Sequence, residues 1–166
     1  MRLWHNVRPG SRRPGRRGPR AGALDDRSRD RDGGDHHDRF HPQEFPRPDE
    51  RRFGQPYRYA YAMAVPTDPA AEFIGDTRLF RHDLVEGTRQ VHDFGPRRHP
   101  GEFVFVPASE DAVEGEGWLV GFVVDMANDT TDFVVLDAMR FEDPPVGVVH
   151  LPHRVPAGFH GNWVPG

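Results

Sequence analysis

The chain has 166 residues, of which 36% are hydrophobic and 29% charged, with a formal net charge of -4 and no cysteine. That length admits one ordinary domain, burying roughly 70% of the surface its unfolded chain exposes, and the missing cysteines exclude disulfides and thiolate metal sites, so any metal falls to His, Asp or Glu. No apolar run approaches the roughly 18 residues of a membrane span, and the basic start is not followed by the apolar stretch of a secretory signal; a soluble, cytoplasmic protein is the expectation.

Taken in chain order, the charge is uneven. Residues 1 to 31 hold ten arginines against three acids, and the remainder twelve against twenty-three. Every basic residue is arginine, a bias that a GC-rich coding sequence produces without any physical demand for guanidinium. The first forty residues, with "RPGSRRPGRRGPRAG" and "DDRSRDRDGGDHHDRF", show neither a 3.6 nor a 2.0 hydrophobic period, which predicts a disordered Arg/Gly/Pro-rich arm over 1–40. Aromatic residues for base stacking are nearly absent from it, and its Pro and Gly prevent a recognition helix, so no nucleic-acid partner is expected. His36, His37 and His41 in "DHHDRFH" form the kind of tract that is either solvated or a loose metal binder.

From Tyr57 the pattern changes. "YRYAYAMA" alternates Tyr57, Tyr59, Tyr61 and Met63 with Arg58 and alanines, the two-residue period of a strand with unlike faces. "TRLFRHDL", "TRQVHDF", "EFVFV", "WLVGFVVDM", "DFVVLDA" and "VGVVHL" follow, separated by turn signals such as "VEG", "MANDTT" and "FEDPP". No stretch shows helical periodicity beyond two turns. The hairpins "LFRHDLVEGTRQVHDF" and "FVVLDAMRFEDPPVGVVHL" resemble each other, with Asp83 and Asp137 lying 54 residues apart (137 − 83). That spacing is near the blade repeat of a propeller, about 40 to 50 residues, with "PASEDAVEGEG" as an inserted loop. The expectation is an all-β fold of about two blades.

Three ionisable residues stand beside aromatic neighbours and near Pro or Gly: Glu44 in "QEFPRPDERRFG", Glu102 opening "GEFVFVP", and His160 in "VPAGFHGNW". Singly, each has a bland reading: a solvated loop acid, a strand-edge charge, and a core histidine bonded to a carbonyl. A carboxylate at the start of an apolar strand is costly to bury unless paired, and a histidine N–H is its usual partner.

Together and in this order, "EFPRPDERRFGQPYRYAY", "GEFVFVP" and "HLPHRVPAGFHGNW" closely resemble the C-terminal part of the carotenoid cleavage oxygenases, the family of the lignostilbene dioxygenases and the vertebrate retinoid isomerase. The match is interrupted at "LDD" from Leu24 and nearly continuous from Glu44 to Trp163. The resemblance implies a seven-bladed β-propeller, of which residues 41–166 would form the C-terminal blades, about two of them. It implies an axial non-haem Fe(II) bound by four histidines that three glutamates orient. His160 matches the last of those ligands, and Glu44 and Glu102 match the second and third glutamates. The implied reaction adds O2 across a conjugated double bond of a carotenoid, apocarotenoid or stilbene-like substrate and yields two carbonyl products. Peripheral membrane contact by the complete enzyme belongs to the same set of implications.

Neutral imidazole suits Fe(II), and an all-His shell leaves positions open for O2. A ligating His donates its second N–H to an acceptor that sets its tautomer and ring plane, the role implied for Glu102 and Glu44. The other three ligand positions and the first glutamate find no match in this chain; His82, His92, His99, His150 and His153 match none of them and are read as surface or strand residues. The expectation is therefore a fragment of an iron dioxygenase, inactive alone, its first forty residues being the product of a frameshift or misplaced start. The reading from another class is a β-sheet binding or interaction protein that has lost the metal site.

Overall fold

The computed structural model describes residues 41–156 and 158–164, all within the unit Asp35–Gly166; the basic arm, "LDD", His36 and His37 lie outside the described residues. Eight strands form two sheets. The first is an antiparallel meander of β1 (Gln43–Pro48), β2 (Tyr59–Ala64), β3 (Arg78–Asp83) and β4 (Thr88–Asp93). The second repeats that order with β5 (Arg98–Pro107), β6 (Gly117–Asp125), β7 (Thr130–Asp137) and β8 (Gly147–Leu151). One 3-10 turn, Glu50–Arg52, capped by the Asp49 carboxylate, separates β1 from β2.

The core lies between the two sheets. Tyr59, Tyr61 and Met63 of β2 and Leu79 of β3 meet Phe103 and Phe105 of β5, Leu119 and Val123 of β6, and Val134 and Leu136 of β7. The two-residue period of β2 is what sends its large residues this way. Tyr61 stacks on Phe105 with rings 6.0 Å apart and 5° from parallel. Each such aromatic, fully buried, contributes about 1.5 to 3 kcal/mol. Gly121 faces Phe103, and a Cβ there would lie 2.5 Å from the ring, so the close approach requires glycine.

The opposite face of the second sheet is apolar and partly open. Trp118 and Phe122 of β6 and Val149 of β8 are 40%, 44% and 57% exposed.

The hairpin repeat expected from Asp83 and Asp137 is present. Both aspartates end the third strand of their sheet, and each Oδ1 accepts from two backbone N–H groups of the turn that follows, Val85 and Glu86 in one case and Met139 and Arg140 in the other. A short carboxylate that bonds its own turn explains why Asp recurs there.

Two strands differ from the sequence reading. The residues around Glu44, interrupted by Pro46 and Pro48, show no two-residue period, yet they pair as β1, and β5 begins at Arg98, so Glu102 sits inside its strand and not at the start. Both are edge strands within their sheets, where proline without its N–H is tolerated. Each is bulged: pairing shifts between Glu44 and Arg47 in β1, and between Pro100 and Phe103 in β5. The first strand of each sheet thus carries one bulge and, at it, one of the two candidate glutamates.

Candidate metal-ligand site

The β1 bulge turns on Phe45, which adopts φ 54° although it is neither Gly, Asn nor Asp. A bulky residue in that region costs on the order of 1–3 kcal/mol and persists only where its surroundings hold it. Here they are aromatic. The Phe45 ring is buried and meets Phe73, Phe159 and His160 edge-on, the His160 centroid lying 5.2 Å away.

Glu102 is the polar counterpart. The β5 bulge leaves its side chain only 5% exposed, and it is fully engaged. Oε1 accepts from His160 Nδ1 at 3.2 Å and from Arg47 Nη1 at 3.3 Å, while Oε2 accepts from the Gly161 backbone N–H at 2.7 Å. Only the protonated nitrogen of an imidazole can face a carboxylate, so Nδ1 carries the hydrogen. In the neutral ring Nε2 then has the lone pair, and the ring is 70% exposed. This is the tautomer a metal-binding histidine needs.

Arg47 ties the arrangement together. Its Nη2 donates to Glu50 and to Asn162 Oδ1, the latter at 3.2 Å, and that same Oδ1 accepts from the Trp163 backbone N–H. One guanidinium therefore bridges β1, the 3-10 turn, β5 and the C-terminal segment. Among the residues that sequence reasoning did not single out, Arg47, Phe45, Gly161 and Asn162 hold the site. All four stand inside the motifs already quoted, but no spacing marks Arg47 among its neighbouring arginines.

The sequence-derived candidates do not all converge. Glu102 and His160 are joined; Glu44 is exposed, paired with Met63 in the sheet, and its side chain bonds to no described residue. The other histidines are elsewhere. His92 is buried, its Nδ1–H donating to the Phe141 carbonyl at 2.9 Å; burial pushes its pKa down, against a smaller upward pull from that bond. His82 bonds Gln43 Oε1 at 2.7 Å, and its pKa is lowered by burial and by Arg89. His41 meets Asp76 at 3.1 Å, and His150 meets the buried Asp132 at 2.6 Å. His99 lies in β5, and His153 is an exposed residue after β8. Among the described residues, no three of His, Asp and Glu gather as a metal cage.

Paired four-stranded meanders, with a carboxylate-backed histidine at the edge of one, describe two blades of a β-propeller. A family profile described as retinal pigment epithelial membrane protein matches residues 14–165. The chain belongs to that family, the carotenoid cleavage oxygenases. It is 38% identical over 128 residues to the carotenoid cleavage oxygenase of Mycobacterium tuberculosis (strain H37Rv), covering 74% of this chain and 25% of that one. It is 35% identical over 127 residues to lignostilbene-alpha,beta-dioxygenase isozyme III of Sphingomonas paucimobilis, covering 72% and 26%. The lignostilbene dioxygenase structure from Pseudomonas brassicacearum superimposes with a TM-score of 0.71 at 28% identity, over 76% of this chain and 28% of that chain. The cobalt-substituted Synechocystis apocarotenoid oxygenase gives 0.67 at 30% identity, over 75% and 26%. The chain spans about a quarter of the length of the relatives it matches.

Proposed function

We propose that these two blades supply one wall of an iron dioxygenase site, with His160 as one ligand of a non-haem Fe(II) and Glu102 as the group that orients it. The observation that carries this reading is the 3.2 Å bond from His160 Nδ1 to a carboxylate that is itself buried. The donor chemistry fits Fe(II), which neutral imidazole suits. The donor number does not suffice, since one imidazole stands where the family uses four; the other three would come from further blades. Glu44, exposed at the bulge of β1 with a side chain that has no described partner, would take the N–H of one of those histidines.

Bound iron would supply the O2 chemistry that splits a conjugated double bond into two carbonyl products. This chain's own residues do the rest. Glu102 holds the proton on Nδ1, Arg47 and the Gly161 N–H keep Glu102 in place, and Phe45 and Phe159 give the imidazole an apolar flank. Such a flank suits an apolar polyene or stilbene-like substrate. Cleavage requires the remaining blades, so the chain by itself is expected to be inactive.

The test is a chimera of this chain with the upstream blades of a relative. His160→Ala should abolish cleavage and lower the iron content. Glu102→Gln should weaken metal binding by about 10 to 100-fold, as loss of an orienting acceptor does. All the groups facing Glu102 are donors, so the amide NH2 of glutamine must confront one of them. Cleavage at the parent rate in the His160→Ala chimera would remove the ligand assignment.

A further inference from the structure

The buried face of the first sheet carries a cation with no counter-ion among the described residues. Arg81 of β3, 8% exposed, lies opposite Tyr61 of β2 and Gln90 of β4. Its guanidinium carbon is 4.1 Å from the Tyr59 ring centroid, and Nη1 donates to Gln90 Oε1 at 2.7 Å. Gln90 is in turn held by its amide N–H, which donates to Glu142 at 3.3 Å. No described carboxylate comes within ion-pair distance of Arg81; its neighbours are neutral, the Tyr59 ring, Gln90 and the buried Tyr61 hydroxyl, and its Nε has no hydrogen-bond partner of good geometry. A guanidinium taken out of water is poorly compensated by an aromatic ring and neutral polar groups in place of an opposing charge.

A concavity of about 290 Å³ opens beside this group, lined by Tyr59, Arg81, Asp83, Thr88 and Gln90. Its one acid is already neutralised: Arg58 grips Asp83 with Nε at 3.0 and 2.9 Å and Nη2 at 2.6 Å. The lining therefore leaves the charge of Arg81 unopposed, with the exposed Thr88 beside it. We infer that this concavity binds a small oxyanion, a carboxylate or a phosphate, which accepts from the Arg81 guanidinium and from Thr88. A planar guanidinium held flat by an aromatic ring keeps its in-plane N–H groups for such a ligand. The inference is independent of iron and of His160.

The experiment uses the full chain, titrated with sodium phosphate and, separately, with sodium acetate at constant ionic strength set by sodium chloride. The readouts are calorimetry and the thermal midpoint. Saturable binding with a rise in the midpoint is expected, because a ligand of the folded state stabilises it. Binding of phosphate alone identifies a phosphate site, of acetate alone a carboxylate site, and of both a site for the shared oxyanion chemistry. Arg81→Gln should weaken binding by at least about tenfold, as loss of a charge-assisted pair does. Thr88→Val on the exposed end of β4 leaves the core intact and should weaken it by a smaller factor, so the inference stays testable if the Arg81 variant does not fold. Failure of both anions to bind saturably, or equal binding by Arg81→Gln, would overturn it.

Discussion

Arg47 and Asn162, separated by 115 positions in the chain, are joined by a 3.2 Å hydrogen bond from Nη2 to Oδ1. Because Arg47 also donates to Glu102, and Glu102 binds both His160 and Gly161, the guanidinium acts on both sides of the candidate ligand. The rest of the C-terminal segment has little else to hold it: Phe159, Trp163 and Val164 are 71%, 49% and 79% exposed. Arg47→Ala is therefore expected to release residues 160–163 and to leave the buried Glu102 with one charged donor fewer, a loss of about 1.5 to 3 kcal/mol. Hydrogen exchange at the Gly161 amide reads this directly and should accelerate. Arg47→Lys should restore it only in part, since an ammonium lacks the planar fork that bridges two acceptors. Unchanged protection of Gly161 in Arg47→Ala would show that the clamp is not what holds the segment.

A second expectation concerns iron in the chain alone. With one imidazole and no other gathered donors among the described residues, anaerobic loading with Fe(II) followed by desalting should leave well under one iron per chain. The same measurement on a chimera with upstream blades should approach one. Stoichiometric iron in the chain alone would point to a rebuilt site and would remove the division of ligands proposed above.

The open face of the second sheet leads to a third. In a propeller each blade is covered on both faces by its neighbours. Here Trp118, Phe122 and Val149 lie on the face turned away from the first sheet and remain exposed. A contiguous apolar face of this kind drives association in water, so the purified chain should elute larger than a monomer in size exclusion with light scattering. Phe122→Lys, on a side chain that is 44% exposed and outside the core, should shift it toward monomer. A clean monomer at high concentration would mean that this face is covered in solution.

Much of this was legible in the residues, and the reasons differ by element. The strands from β2 onward were readable because turn residues bound runs of apolar and alternating residues, most of which bury a face, although β8 buries none of its residues; the Asp83 and Asp137 turns were readable because a carboxylate bonds its own turn. β1 and the start of β5 were not, since prolines and bulges break the period at the two positions where the candidate glutamates sit. His160 and Glu102 were singled out by motif and proved to be bonded. Arg47 was not singled out, because its role depends on the distance between β1 and the end of the chain, which no local pattern records. Nothing in "TRLFRHDL" marks Arg81, whose burial beside Tyr59 arises from packing that no local pattern records.

The last expectation is a pH dependence of stability with two separate windows. His92 is buried and its folded-state pKa is depressed, chiefly by burial, with the bond to the Phe141 carbonyl opposing; His82 is depressed by burial and by Arg89. In the unfolded chain both take a proton near the ordinary histidine value of about 6.5. Below that value the unfolded state binds more protons than the folded one, so stability falls as pH drops from about 7.5 to about 5.5. The second window is acidic. Asp83 is held at about 2, first by the Arg58 hydrogen bond and with help from the Glu86 and Val85 N–H groups. Asp132 is also lowered, because the bonds from Arg98 and His150 outweigh its burial. Carboxylates depressed in the folded state contribute stability above the ordinary value of about 3.9 and lose it as pH falls toward their folded values. Urea midpoints should therefore step down through the histidine window, flatten near about pH 5, and step down again below about pH 4. His92→Gln, whose amide can still donate to the Phe141 carbonyl, should reduce the first step and leave the second. A first step of the same size in that variant would assign it to other groups.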